Sequence, residues 1–247
     1  MVARNVPPAA AQRTRIKICG LTREQDVDAA VEAGVDAIGF NLYPKSPRCI
    51  SIGRAAELAR RLPPFVTPVL LYVNEKTSKI IANYSILAGA TVQFHGDETA
   101  EHCREASLNG IHPFLRAARI PLGDGAASFD LVKYAHEYSN AQAILLDAHV
   151  DGYGGGGKVF NWSLLPPSVN AHLVLSGGLN AANVADGILQ VRPRCKTLAV
   201  DVSSGVELDG PGNKGIKDAG KINRFVAAVR AADRQLAGIS HESVSTT

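Results

Sequence analysis

From residue 15 to about residue 230 the chain repeats one alternation: a short run rich in β-branched and other apolar residues, then a longer segment whose apolar residues recur at helical spacing. Eight rounds can be marked. The strand candidates are "RIKIC" (15–19), "AIGFN" (37–41), "VTPVLLYV" (66–73), "TVQFH" (91–95), "IHPFLRA" (111–117), "QAILLD" (142–147), "HLVLSG" (172–177) and "TLAVDV" (197–202), each followed by a helix candidate. In "REQDVDAAVEAG" (23–34), Thr22 is the expected N-cap, Val27, Ala30 and Val31 form the apolar stripe, and Gly34 stops the helix. Strands separated by helices pair in parallel, because a parallel crossover needs a dozen or more residues. The pattern therefore predicts an α/β fold, a single (β/α)8 TIM barrel spanning 15–232. The alternative, an open doubly wound sheet, usually carries G-x-G-x-x-G after its first strand, and "CGLTRE" is not that turn. The flanks 1–14 and 233–247 lack periodicity and are expected to be disordered tails.

Composition narrows the function classes. Of 247 residues, 46% are hydrophobic and 20% charged, and no stretch approaches the roughly 18 unbroken apolar residues of a membrane span. The formal charge of +3 is dispersed, which argues against a nucleic-acid or membrane partner and leaves room for a small anionic substrate. Cys19, Cys49, Cys103 and Cys195 lie far apart with no C-x-x-C pair, so neither a zinc site nor a disulfide framework is expected. That usage suits a reducing, cytoplasmic setting. The basic opening "MVARNVPPAAAQRT" leaves organelle targeting as the alternative. A monomer with no bound metal is the default expectation.

In such barrels chemistry sits at the C-terminal ends of the strands. Side chains alternate along a strand, so Lys17 shares a face with Cys19, Gln93 with His95, and Leu145 with Asp147. If that face is the inner one, Cys19, His95 and Asp147 converge. Lys17 and nearby helix-terminal amides would then lower the Cys19 thiol from its free pKa of about 8.5, giving a thiolate able to act as nucleophile or general base. Asp147 reads either as a catalytic carboxylate or as a rim carboxylate paired with a lysine. His95 stays open between a satisfied core histidine and a substrate-binding one. The stretch "AHVDGYGGGGKVFNW" (148–162) has four consecutive glycines and suits a mobile flap.

Two loops just past strands seven and eight, "LSGGLNAANV" (175–184) and "VDVSSGVE" (200–207), are rich in Gly and Ser. Glycines let backbone N–H groups approach an anion, and hydroxyls complete the cup, so Gly177, Gly178, Asp201, Ser203, Ser204 and Gly205 are candidate binding residues for a phosphorylated small molecule. After strand two, "YPKSPRCIS" (43–51) is held extended by Pro44 and Pro47 and would present Arg48 over the mouth, where a guanidinium suits a carboxylate.

Taken together, "KICGLT", "GFNLYPKSPRCIS", "VQFHGDE", "LLDA", "GGGGKVFNW", "LSGGLNAANV" and "VDVSSGVE", in that order, resemble the phosphoribosylanthranilate isomerase family along roughly residues 15 to 230. The resemblance implies the tryptophan-pathway Amadori rearrangement of N-(5'-phosphoribosyl)anthranilate to 1-(2-carboxyphenylamino)-1-deoxyribulose 5-phosphate, without a cofactor. It implies Cys19 as general base, Asp147 as general acid and Arg48 at the anthranilate carboxylate. The substrate's own nitrogen serves as the electron sink, so the reaction needs no added carrier. Three departures stand out: Asn161 replaces the aspartate of the family's "FDW", the glycine run is unbroken, and "LDGPGNKGIKD" (208–218) is long. Rival readings are a Schiff-base lyase, for which Lys17 and Lys133 are poorly placed, a related imidazole-carboxamide sugar isomerase with aspartate at the Cys19 position, and a phosphate-binding barrel without catalysis.

Overall fold

The computed structural model describes residues 13–122, 129–148, 160–210 and 212–242. Its strands are β1 (Arg15–Cys19), β2 (Ala37–Asn41), β3 (Thr67–Tyr72), β4 (Thr91–Phe94), β5 (Phe114–Ile120), β6 (Ala143–Ala148), β7 (Val169–Leu175) and β8 (Cys195–Val202). They close into an all-parallel barrel in chain order, β8 pairing with β1 through Lys17 opposite Asp201. The helices are α1 (Glu24–Glu32), α2 (Ile52–Ala59), α3 (Thr77–Ile86), α4 (Ala100–Ala106), α5 (Leu131–Glu137), α6 (Val184–Val191) and α7 (Ala219–Glu242).

Strand parity divides the apolar residues. Ile16, Ile18, Ile38, Phe40, Leu70, Val92, Phe94, Leu146, Leu173 and Val200 point outward into the layer beneath the helices and are buried there. Burying each such side chain is worth about 1.5–3 kcal/mol, so this layer is the main source of stability. The inward residues Leu115, Ala117, Ala143, Leu145, Val174 and Ala199 form a separate small cluster filling one side of the interior. Leu71 and Val73 pack with Cys19 in a second small cluster, and the site lies among the polar inward residues beside it. Local signals fix the helix ends: Ser51, Thr99 and Asp130 cap α2, α4 and α5 by accepting from Arg54, His102 and Lys133 amides.

Some boundaries differ from the sequence pattern. The fifth strand starts at Phe114 rather than residue 111, because Leu108, Asn109 and Gly110 all take positive φ in a turn that leaves Ile111 exposed. Arg116 then masks the outward face of β5 as a polar position. Thr22 is not the N-cap of α1, since Arg23 occupies that place with extended backbone, while Gly34 at φ 80° does end the helix. Between β6 and β7 the described residues contain a short 3-10 turn, Trp162–Leu164, where a helix was expected. The last helix continues to Glu242, beyond the expected boundary at 232, and Asp233 within it binds the Thr14 amide and hydroxyl beside Arg192. Residues 1–12 and 243–247, where disorder was expected, and the glycine run 154–157 lie outside the described residues.

Candidate active site

Cys19 ends β1 on the inner face and is buried. Below it, Lys17 donates to Asp201 Oδ1 at 2.9 Å, a buried ion pair across the β1–β8 seam. β2 carries Gly39 at the adjoining position, and a Cβ there would sit 2.7 Å from the Cys19 sulfur and 3.0 Å from Lys17 Nζ. The missing side chain lets thiol and ammonium share one space. Burial pushes the Cys19 thiol up, and Lys17 and Lys217 pull against that rise while Asp201 adds to it. The net effect is upward, so the expectation that Lys17 would leave the thiol below its free value is corrected: desolvation outweighs the cation. Burial also works against the Lys17 charge, yet Asp201 and Cys19 together hold that ammonium above its ordinary range.

The neighbouring loops tie into the same corner. The Ser203 hydroxyl donates to the Cys19 carbonyl at 3.0 Å, and Lys217 Nζ donates to the Ser203 carbonyl at 3.0 Å and to Glu207 Oε1 at 2.9 Å. Glu207 also takes Arg48 in a two-pronged pair, Nε to Oε1 at 2.6 Å and Nη2 to Oε2 at 2.9 Å. Although burial opposes its charge, Arg48 and Lys217 hold Glu207 below the usual carboxylate range. Lys217 itself is lowered by burial despite Glu207. Arg48 therefore lies buried beside Gly20, just past Cys19, and is clamped rather than swung over an open mouth. Sequence reasoning did not single out Glu207 or Lys217. The "GVE" and "IKD" fragments carry no local mark of chemistry, and only the fold brings them to Arg48.

Asp147 ends β6 on the same inner face and is buried. Its Oδ2 meets His95 Nε2 at 2.9 Å, and His95 Nδ1 meets Gln93 Nε2 at 2.9 Å. Both ring nitrogens of His95 are thus engaged, so the histidine stands behind Asp147 with no free nitrogen for a substrate. No lysine or arginine is in ion-pair contact with Asp147 among the described residues. The loop behind His95 is anchored by Glu98, which accepts from the Asn74 amide at 2.7 Å and the Gly96 amide at 2.9 Å. Arg116, reaching round from β5, donates to the Phe94, Gly96 and Glu98 carbonyls.

The two Gly/Ser loops meet. A Cβ on Gly205 would run into the Leu179 carbonyl, and one on Gly177, at φ 76°, would lie 2.7 Å from Asp147 Oδ1 and from the Ala148 amide nitrogen. Gly177 therefore packs against Asp147, and Gly205 closes against the Leu179–Asn180 backbone of the same loop, so the two loops share one rim. Asp201, expected with them, faces inward to Lys17. Asn161 caps the turn at Trp162 by accepting from the Ser163 amide.

The chain is similar to known proteins over most of its length. Residues 16–228 match the family described as N-(5'phosphoribosyl)anthranilate (PRA) isomerase. The N-(5'-phosphoribosyl)anthranilate isomerase of Methylibium petroleiphilum is 59% identical over 225 residues, covering 91% of this chain and 98% of that one. Among solved structures, the phosphoribosyl anthranilate isomerase of Thermotoga maritima is 39% identical with a TM-score of 0.74, over 88% of this chain and 99% of its own. Another phosphoribosyl anthranilate isomerase, solved in complex with reduced 1-(o-carboxyphenylamino)-1-deoxyribulose 5-phosphate, is 35% identical with a TM-score of 0.69 over 88% of this chain and 99% of that one.

Proposed function

The chain belongs to the N-(5'-phosphoribosyl)anthranilate isomerase family, and from that premise we propose how its mouth carries out the rearrangement in tryptophan biosynthesis. The observation that carries the reading is the placement of Cys19 and Asp147 on one inner face, at the ends of β1 and β6, with Gly177 packed against the carboxyl. The substrate phosphate rests against the amides of Gly177, Gly178, Ser204 and Gly205. The Arg48 edge not held by Glu207 meets the anthranilate carboxylate. Asp147, protonated, gives its proton to the ribose ring oxygen, and the C1'–O bond breaks as the anilino nitrogen lone pair forms the Schiff base. Cys19, as thiolate, then takes the proton from C2', and the electron pair moves to the nitrogen to give the enolamine. Proton return to C1' and loss of the O2' proton yield the ketose. No net redox partner is consumed, because C2' is oxidised as C1' is reduced. Cytoplasmic location and a monomeric state accompany this reading as proposals; no described helix is long and apolar enough to cross a membrane.

The test follows anthranilate-type fluorescence with substrate deuterated at C2'. Cys19→Ser should slow turnover by the ~10²–10⁴ that general catalysis supplies while substrate still binds. Asp147→Asn should be comparably slow with a diminished C2' isotope effect, since ring opening becomes limiting. Near-normal turnover in either variant, or an undiminished isotope effect in a slow Asp147→Asn, overturns the assignment.

A further inference from the structure

Gln93 is fully buried on the inner face of β4, one pleat below His95, and its amide meets His95 Nδ1 while its Oε1 has no partner among the described residues. An orphaned buried acceptor costs about 1–3 kcal/mol, so the position is not one a core would choose for packing alone. The two orientations of the amide are not equivalent. With the nitrogen toward Nδ1, that nitrogen is bonded and the carbonyl oxygen is the polar atom left without a partner. With the oxygen toward Nδ1, the nitrogen is left with neither of its hydrogens bonded, and a wholly orphaned N–H donor is the less tolerated kind. Burial therefore favours nitrogen toward the ring. Nδ1 is then an acceptor, the ring proton sits on Nε2, and Nε2–H donates to Asp147 Oδ2.

We propose that Gln93 is a positioning residue that fixes the His95 tautomer and thereby selects which oxygen of Asp147 carries the transferable proton. With Oδ2 accepting from Nε2–H, the acid's proton is placed on Oδ1. That oxygen is the one packed against Gly177 at the rim, where the ribose is read to lie. After transfer, the carboxylate already has a donor in place at Oδ2, so the developing charge is met without rearrangement. No proton moves through Gln93 or His95, and the single proton transferred is the one leaving Oδ1 for the ring oxygen. Charged groups on the flanking elements are Arg119, beside Asp147 in the β5–β6 register and paired with Asp97 at 3.3 Å, and the Glu98–Arg116 pair that anchors the loop after His95. None of them bonds the imidazole among the described residues. The inference rests on reading Asp147 as the acid, and its test separates the two.

The first measurement needs no substitution. In 15N-labelled wild type near neutral pH, the His95 resonances should show a bare Nδ1 and a protonated Nε2; a proton on Nδ1 overturns the proposal. The second is Gln93→Met, which keeps length and apolar bulk but removes the donor. His95 should then populate both tautomers, kcat should fall about tenfold or more, up to the ~10²–10⁴ that general acid catalysis supplies as a whole, and KM should hold. Because ring opening is the step impaired, the C2' isotope effect should shrink as in Asp147→Asn, which a loss of packing alone would not produce. If Gln93→Met keeps the wild-type tautomer or the full isotope effect while Asp147→Asn is inactive, Gln93 has no such role and the acid assignment stands. If Asp147→Asn turns over normally, the acid assignment falls and this proposal with it.

Discussion

Cys19 and Asp147 stand at ends of strands in the same barrel, and both are buried, yet their surroundings are built from opposite materials. Around Cys19 gather three cations, Lys17, Arg48 and Lys217, against two carboxylates, Asp201 and Glu207, all of them buried. Around Asp147 stand an imidazole, an amide and the backbone of the Gly177 loop. The contrast fits the two tasks proposed for them. A buried thiol resists ionisation, so a base made from it needs net positive charge at hand to offset desolvation. A carboxyl that must arrive with its proton is better served by neutral partners, because a cation in contact would favour the ionised form.

The largest expected effect comes from stripping charge from the base corner. Lys17→Met leaves Asp201 buried without its partner and should cost about 3–5 kcal/mol in denaturant unfolding. The double variant Lys17→Met/Asp201→Leu removes that stranded charge and should recover much of the loss. It still lacks the cation, so the pH at which the thiolate-dependent rise in kcat/KM levels off should move upward from wild type. The sign follows from the balance at Cys19: burial raises the thiol, Lys17 opposes the rise more strongly than Asp201 adds to it, and with both gone only the weaker pull of Lys217 remains. An unmoved profile in a stable double variant would show that charge at this corner serves folding and not ionisation.

Much of this contrast was legible along the chain, and what was not has a physical reason. Strand runs with apolar residues on both faces are what a barrel buried inside and out requires, and β1 and β2 fell where the pattern put them. Parity then placed Cys19, His95 and Asp147 on one face. Arg116 and Ile111 misled the reading of β5, since one is a charged side chain folded under the helix layer and the other an apolar one left in water. Asp201 was legible as a polar residue at a strand end but not as the counter-ion of Lys17, because pairing across the closing seam depends on register between the first and last strands. Glu207 and Lys217 reach Arg48 from far along the chain, and no spacing rule connects them. The balance of burial against charge at Cys19 was equally hidden, since sequence shows the lysine and not the depth.

Arg48→Ala sharpens the contrast from the binding side. Removing Arg48, the partner proposed for the anthranilate carboxylate, should cost about 2–5 kcal/mol in kcat/KM, carried mainly by KM. A substrate analogue without the carboxylate should react alike with wild type and variant. The C2' isotope effect should persist, because the acid corner is untouched. If the variant treats the analogue and the true substrate with the same penalty, the guanidinium serves only to neutralise Glu207.

The smallest intervention tests whether the two corners differ by charge or merely by crowding. Gly39→Ala adds one methyl group, 2.7 Å from the Cys19 sulfur and 3.0 Å from Lys17 Nζ, and changes no charge. Both neighbours are buried, so they must part, at a strain of about 1–3 kcal/mol. Pushing the ammonium from the sulfur weakens the attraction that holds the thiol down, and the thiolate-dependent part of the pH profile should move upward by less than in the Lys17 variants. The matching control is Gly34→Ala, where a Cβ meets nothing within 4 Å and the cost is backbone strain at φ 80°, about 1–2 kcal/mol. The two substitutions should therefore lower stability to a similar degree, while only Gly39→Ala shifts the profile. Equal profiles in both would mean that the base corner tolerates a displaced lysine, and that the charge gathered there acts over a longer range than the contact between Lys17 and Cys19.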